Sequence, residues 1–204
     1  RKREVTTDMS QAERKPHMRK VVLTEQERAE FDKVIEEYID DNSYTDYWGE
    51  EVLTQGGSLG LVQKKRQVAS SVYAYLNSES SLDKGIDEYA EYSDAKFEEL
   101  LRIIEEVFSH GNKKIVIFAL FRRTLKYLQI RFKRRGFGTM MIHGMVDNRV
   151  EVLDEFKNNP NAHILLSSEV GSEGLDMQFC NSMVNYDLPW NPMVVEQRIG
   201  RIDR

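Results

Sequence analysis

Arg198, Arg201 and Arg204 recur every three residues within Glu196-Gln197-Arg198-Ile199-Gly200-Arg201-Ile202-Asp203-Arg204. In a helix, that spacing sets three guanidiniums near one side. Planar, permanently charged forks suit phosphate, and three on one side repel unless anions compensate them. Ordinary pairing with Glu196 and Asp203 is the other reading, and the pattern alone leaves both open. The run follows Asp187-Leu188-Pro189-Trp190-Asn191-Pro192, a rigid turn in which Asn191 can cap a helix and Pro192 suits its first position.

Other chemistry is sparse. Neither GxxxxGK[ST] nor GxGxxG occurs, so the chain has no phosphate loop of its own. The pairs Asp87-Glu88 and Asp154-Glu155 could imitate a magnesium-binding acidic box, but each falls outside a strand end and reads as solvated charge. His17, His110, His143 and His163 show no ligand spacing with each other or with Cys180, so no metal site is expected. Ser167 and Ser168 lack the nucleophile-elbow glycines. His143-Gly144 ends an apolar run, and the glycine would let a backbone or a phosphate come close.

The elements that must position these residues come in two styles. The first half reads as helical. Thr24-Glu25-Gln26-Glu27 is a capping box, followed by Phe31, Val34, Ile35, Tyr38 and Ile39 on one helix face. Gly49, Gly56, Gly57 and Gly60 mark a loop, and Leu61, Val68, Val72 and Leu76 a second helix. Residues 77–93 are acidic and weakly periodic. Ser93 caps a third helix with the face Phe97, Leu100, Leu101, Ile104, Val107 and Phe108. Tyr44, Tyr47 and Trp48 read as a local packing knot, because aromatic area is usually buried.

The second half alternates. Ile115–Leu120, Thr139–Ile142, His163–Ser167 and Met183–Tyr186 read as strands. Helices carrying Leu125, Leu128 and Phe132, then Val150, Leu153 and Phe156, lie between them. This is α/β patterning with a mostly parallel sheet. In such sheets ligands sit at the carboxyl ends of the strands, which is where His143 and Ser167 fall.

The chain has 204 residues, with 29 Lys plus Arg against 34 Asp plus Glu, so 29 − 34 gives −5. That excludes a uniformly basic binder. With 40% apolar residues and four prolines it is not a typical disordered chain. One cysteine excludes an internal disulfide and fits a reducing, cytoplasmic setting. No apolar run approaches the roughly 18 residues of a membrane span, so no membrane partner is expected. Between Gly111 and Gly138 stand Lys113, Lys114, Arg122, Arg123, Lys126, Arg131, Lys133, Arg134 and Arg135, with no acid. The stretch reads either as an anion-binding patch or as a solvated helix face.

Gln197-Arg198-Ile199-Gly200-Arg201-Ile202-Asp203-Arg204 resembles motif VI of the superfamily 2 helicases, Q/H-R-x-G-R-x-x-R. Lys114–Phe118 resembles motif IV. His143-Gly144 with Arg149, Leu153 and Phe156 resembles the segment after it, and Leu165–Asp176 resembles motif V. Asp187–Pro192 resembles the D-x-P-W-N-P link of the Snf-type branch, the chromatin-remodeler-like translocases and their bacterial relatives. More loosely, Arg1–Val5 is similar to the connection leaving the first lobe, and Gln63–Ser71 to the helical insert of bacterial members. Glu169 and Glu173 depart from the remodelers' small residues.

The resemblance implies a RecA-like second helicase lobe over residues 111–204, preceded by an interlobe connection and helical insert over residues 1–110. The first lobe, with its phosphate loop and acidic box, would precede Arg1, and the chain stops where the family continues. Arg201 and Arg204 would be arginine fingers on the γ-phosphate of ATP. Gly174, Asp176, Gln197 and Arg198 would line the nucleotide side. His143, Gly144, Ser167, Ser168, Arg122 and Arg123 would meet the nucleic-acid backbone. Magnesium would be held by the first lobe. The implied partners are double-stranded DNA and the N-terminal lobe of the same polypeptide, and this chain alone would be inactive. A non-enzymatic nucleic-acid-binding adaptor, an RNA-directed member and a strand-unwinding helicase stay open as alternatives.

Overall fold

The computed structural model describes residues 15–77 and 93–202. Arg1–Val5, Asp87-Glu88, most of the acidic stretch, Asp203 and Arg204 lie outside the described residues.

Helix α1, Glu25–Asn42, starts at the expected capping box: Glu27 N–H donates to Thr24 Oγ1 and Thr24 N–H to the Glu27 carboxylate. Val34 and Ile35 are its buried face. A hairpin follows, β1 Ser43–Thr45 against β2 Glu51–Leu53. Helix α2 then runs over Gln55–Ser70 and α3 over Val72–Leu76.

Two expectations fail here. Gly56, Gly57 and Gly60 are helical, not a loop. Thr54 caps α2 through the Gly57 N–H, and α2 lies so close to α1 that a Cβ on Gly60 would sit against the Tyr38 hydroxyl. Close approach, not turn formation, is the use of that glycine. The second helix is also broken at Ser71, whose hydroxyl caps α3 by accepting from Ala74 N–H.

Helix α4, Ala95–Ser109, is capped by Asp94 rather than Ser93. Asp94 is buried, accepts from Phe97 N–H at 2.8 Å and from the Tyr127 hydroxyl at 2.6 Å, and so serves two elements at once.

The alternating half folds as read: β3 Ile115–Phe118, α5 Arg122–Arg134, β4 Thr139–Ile142, α6 Arg149–Asn158, β5 Ile164–Ser167, a short α7 Glu169–Ser172, β6 Met183–Asn185 and α8 Pro192–Ile202. The sheet order is β4-β5-β3-β6 and every pairing is parallel. Both central strands are buried on both faces, as a helix-covered parallel sheet requires.

Their side chains alternate between two cores. Ile115, Ile117, Ile164 and Leu166 pack with Phe97, Leu100 and Ile104 of α4 and Leu125, Leu128 and Phe132 of α5. Val116, Phe118 and Leu165 pack with Leu153 and Phe156 of α6, Met177 and Cys180. Val34, Val68 and Val72 form a small third cluster between the first helices. Helix α4 is therefore part of the sheet's own core.

Lys114, read with the basic stretch, turns inward. Its ammonium donates to the carbonyls of Phe156, Asn159 and Ala162 at 2.5–2.8 Å and closes the C-terminal end of α6. Burial lowers its pKa.

At the amino edge of the sheet, Gly138 accepts from the N–H groups of His163 and Ile164. A Cβ there would collide with the Asn161 carbonyl oxygen, which is backbone and cannot swing away. Gly138→Ala is expected to cost about 1–3 kcal/mol of overpacking, measured as a lowered urea midpoint with unchanged slope.

Candidate functional site

In a parallel sheet all carboxyl ends share one edge, so the loops leaving β3, β4, β5 and β6 gather there. The loop after β4 holds His143, whose Nδ1 accepts from Met145 N–H at 3.2 Å while its carbonyl accepts from Val146. Gly144 lies against Val170 of α7. Arg149 anchors the same spot by donating to the Val170 carbonyl at 2.9 Å. Arg122, at the start of α5, reaches Met145 Sδ. The loop after β4 thus meets α5 through Arg122 and Met145 and α7 through Gly144 and Val170, and Arg149 of α6 joins the same point of α7. Sequence reasoning quoted Arg149 without seeing that it ties α6 to α7.

The two serines differ. Ser167 is buried, and its hydroxyl donates to the Ser168 carbonyl. Ser168 is half-exposed and caps α7 by accepting from Gly171 N–H at 3.0 Å, while its own N–H donates to Ile142 of β4. Of the pair, only Ser168 reaches the surface.

The basic stretch does not form one patch. Arg131 is buried, with its guanidinium over the Phe97 ring and a bond to the Tyr127 hydroxyl. Lys133, Arg134 and Arg135 end α5, where cations favour the helix dipole. Arg122 and Arg123 begin it, a helix length of ~20 Å away. Arg123 donates to the Tyr75 carbonyl at 3.4 Å. With Arg122 and Lys64 it lines an open cavity of about 760 Å³ that Glu37 and Asp41 also line. The positive charge at the carboxyl edge is thus partly offset by acids of α1.

Helix α8 supplies the arginines. Asn191 Oδ1 accepts from Met193 N–H at 3.0 Å, and Pro192 opens the helix as expected. Arg198 is 1% exposed, not a surface cation. Its guanidinium lies 4.9 Å over the Phe118 ring and donates to Asn185 Oδ1 at 2.6 Å. The Glu169 carboxylate stands 3.8 Å away, beyond hydrogen-bond reach. Nε and the second terminal nitrogen lack hydrogen-bond partners among the described residues. Burial lowers the Arg198 pKa, and the Glu169 and Asp187 carboxylates oppose the shift. Arg198 therefore joins β3, β6 and α7 from inside.

Arg201 differs from it. It is half-exposed and donates to the Ser172 carbonyl at the end of α7, at 2.7 Å, while its own carbonyl accepts from Met177 N–H. Gly174 follows α7 with φ +78° and is exposed, so its turn needs a residue without Cβ. Asp176 is exposed and accepts from Gln178 N–H, and Gln197 is exposed on α8. Arg201 is thus tied to the end of α7, two residues before the Gly174 turn, whereas Arg198 is withdrawn into the core.

Asp187 is the residue whose part sequence reasoning missed. It is buried and accepts from Ser70 Oγ of α2 at 2.7 Å, Lys96 Nζ of α4 at 2.8 Å and Leu120 N–H after β3 at 3.0 Å. Ser70 also bonds Thr124 of α5, and Lys96 lies 3.9 Å over the Tyr186 ring. One carboxylate gathers the helical half and the sheet half directly before α8. Its position inside the D-x-P-W-N-P link was the available signal; its partners are 67 to 117 residues distant.

A four-stranded parallel sheet covered by helices, with an arginine-bearing helix at its carboxyl edge, is the architecture of a RecA-like lobe. The chain belongs to the helicase conserved C-terminal domain family, which it matches over residues 95–204. It is 42% identical over 93 residues to the Bacillus subtilis (strain 168) protein named "Uncharacterized ATP-dependent helicase YqhH"; the match spans 45% of this chain and 16% of that relative. Its fold resembles the C-terminal part of the Fun30 ATPase domain, with TM-score 0.67 at 16% identity, covering 92% of this chain and 80% of that one. It also resembles the Sulfolobus solfataricus SWI2/SNF2 ATPase core domain, with TM-score 0.65 at 23% identity, covering 90% of this chain and 36% of that one. The expected fold, a RecA-like parallel sheet with flanking helices, is the observed one. Among the described residues no helix is long and apolar enough to cross a membrane.

Proposed function

We propose that this chain is the second lobe of an ATP-driven translocase on double-stranded DNA. The observation that carries the reading is the placing of Arg201 at the end of α7, just before the Gly174 turn: it is half-exposed and, among the described residues, held by a single carbonyl. A cation so held can exchange Ser172 for a phosphate oxygen without breaking the fold. Arg204 would stand with it as a second finger. The γ-phosphoryl group gains charge as it transfers, and fixed guanidiniums stabilise that charge.

The nucleotide side would consist of Gly174, Asp176 and Gln197, with Arg198 acting from within as the tie between β6 and α7. An anion fits there because the glycine turn is open and Arg201 is at hand. Among the described residues no cluster of three or more His, Cys, Asp or Glu side chains is poised to hold a metal, and magnesium is assigned to the N-terminal lobe. The backbone around His143, Gly144 and Ser168, with Arg122 and Arg123, would contact phosphates of one strand and give position without sequence. Ser167 would act through its backbone.

Two likenesses support the reading. The Bacillus relative is named as an ATP-dependent helicase. The Sulfolobus core has also been solved with double-stranded DNA, and it resembles this chain with TM-score 0.64 at 23% identity, covering 90% of this chain and 36% of that one. The exposed apolar side chains Met145, Val170, Leu188, Trp190 and Met193 around the carboxyl edge suit a face that closes on another lobe.

The test is phosphate release from ATP and magnesium. The full-length polypeptide should turn over faster with double-stranded DNA, and the 204-residue chain should show no saturable turnover. Turnover by the isolated chain, or full-length turnover indifferent to every nucleic acid, would refute the reading.

A further inference from the structure

Tyr47 and Trp48 are 93% and 82% exposed, so the expected packing knot does not form. They stand at the tip of the β1–β2 hairpin, in edge-to-face contact at 5.3 Å. The tip is firmly built. The Asp46 carboxylate accepts from Trp48 N–H at 2.8 Å and Glu50 N–H at 2.9 Å, and Asp46 N–H donates to the Glu50 carbonyl. Gly49 turns at φ +81°. At the base, Thr54 N–H donates to the Asn42 carbonyl, and Ser43 Oγ donates to Glu51. Tyr44 pairs across the strands with Val52, and both are exposed.

A two-stranded ribbon is marginal by itself. This one spends a side chain and a glycine to hold two large rings out in water. Along the chain its charge is one-sided, although Glu37 and Asp41 also line the cavity shared with Lys64, Arg122 and Arg123. Between Lys33 and Lys64 the chain carries Glu36, Glu37, Asp40, Asp41, Asp46, Glu50 and Glu51, and no Lys, Arg or His. All but Asp46 are exposed.

We infer that the hairpin tip is a docking knob for a basic protein segment, whose lysine or arginine side chains stack on Tyr47 and Trp48 while the surrounding carboxylates hold their charge. Ring faces attract cations, and the acids draw a basic segment in and repel phosphate. Rings and acids select the same chemistry, and that chemistry is opposite to nucleic acid. The rest of the molecule uses the same contact internally, with Arg66 over Trp190 at 5.7 Å and Lys64 over Tyr38 and Tyr75 at 5.3 and 5.2 Å. The inference stands independently of the translocase reading.

The probe is a fluorescein-labelled nona-arginine peptide, followed by anisotropy with the 204-residue chain. Saturable binding is expected. Tyr47→Ala with Trp48→Ala should weaken it about tenfold, the effect of losing exposed cation–π contacts, with an unchanged unfolding midpoint. Glu50→Gln with Glu51→Gln should weaken it and flatten its salt dependence. Binding unaltered in the aromatic double variant would reduce the contact to diffuse attraction and overturn the inference. So would a wild-type dimer that the double variant abolishes, which would make the occupant a second copy. Absence of probe binding in the full-length polypeptide would also overturn it, because the tip would then be covered by its own chain.

Discussion

Arg201→Ala in the full-length polypeptide is expected to lower DNA-stimulated ATP turnover about 10³-fold or more, the scale of losing an arginine finger. The KM for ATP should change far less, because the guanidinium's contribution grows as charge moves onto the transferring group. Folding should hardly change. Among the described residues the side chain makes one hydrogen bond, to the Ser172 carbonyl, from a half-exposed position, and a net hydrogen bond contributes about 1 kcal/mol. Arg201→Lys should recover little, since a point charge lacks the planar fork. Steady-state kinetics and a urea titration on the same preparations separate these effects. Turnover within a few-fold of wild type in Arg201→Ala would remove Arg201 from the chemistry.

Asp187→Ala should have the largest effect on stability of any single change at this edge. It would strip Ser70, Lys96 and Leu120 N–H of a shared acceptor and leave the Lys96 ammonium against the Tyr186 ring without its counter-ion. Breaking a buried ion pair by removing one partner costs about 3–5 kcal/mol. The Lys96 side chain is 23% exposed, which argues for the lower end, about 3 kcal/mol. Asp187→Asn keeps an acceptor for Leu120 N–H and should cost less. The urea midpoint measures both. The damage should also spread: Asp187 is where α2, α4 and the end of β3 meet the link into α8, so the arginine helix loses its seat. An unfolding free energy within about 1 kcal/mol of wild type in Asp187→Ala would show that water replaces the carboxylate.

The arginine run illustrates how far spacing carries. Period three on a helix is local geometry, so the shared side of Arg198 and Arg201 was legible. Their unequal fates were not. Arg198 meets Phe118, Asn185 and Glu169, which come from three other elements, and no local pattern encodes that meeting. The basic stretch fails for the same reason. Its charges are adjacent in sequence, but the length of α5 separates them and packing turns Arg131 inward.

Features that depend on neighbours along the chain were readable from the residues. They include the capping box at Thr24, the four parallel strands, the Pro192 start of α8 and the resemblance to helicase C-terminal lobes. Tertiary structure alone decided burial and long-range pairing. It made Gly57 and Gly60 helical by pressing α2 onto α1, and it left Tyr47 and Trp48 in solvent on a turn that Asp46 closes. It also drew Ser70, Lys96 and Leu120 onto Asp187. The physical reason is common to all of these. Hydrogen bonds and side-chain periodicity within an element follow from a few adjacent residues, whereas the environment of a charge or a ring follows from which distant elements the two sheet cores pull together.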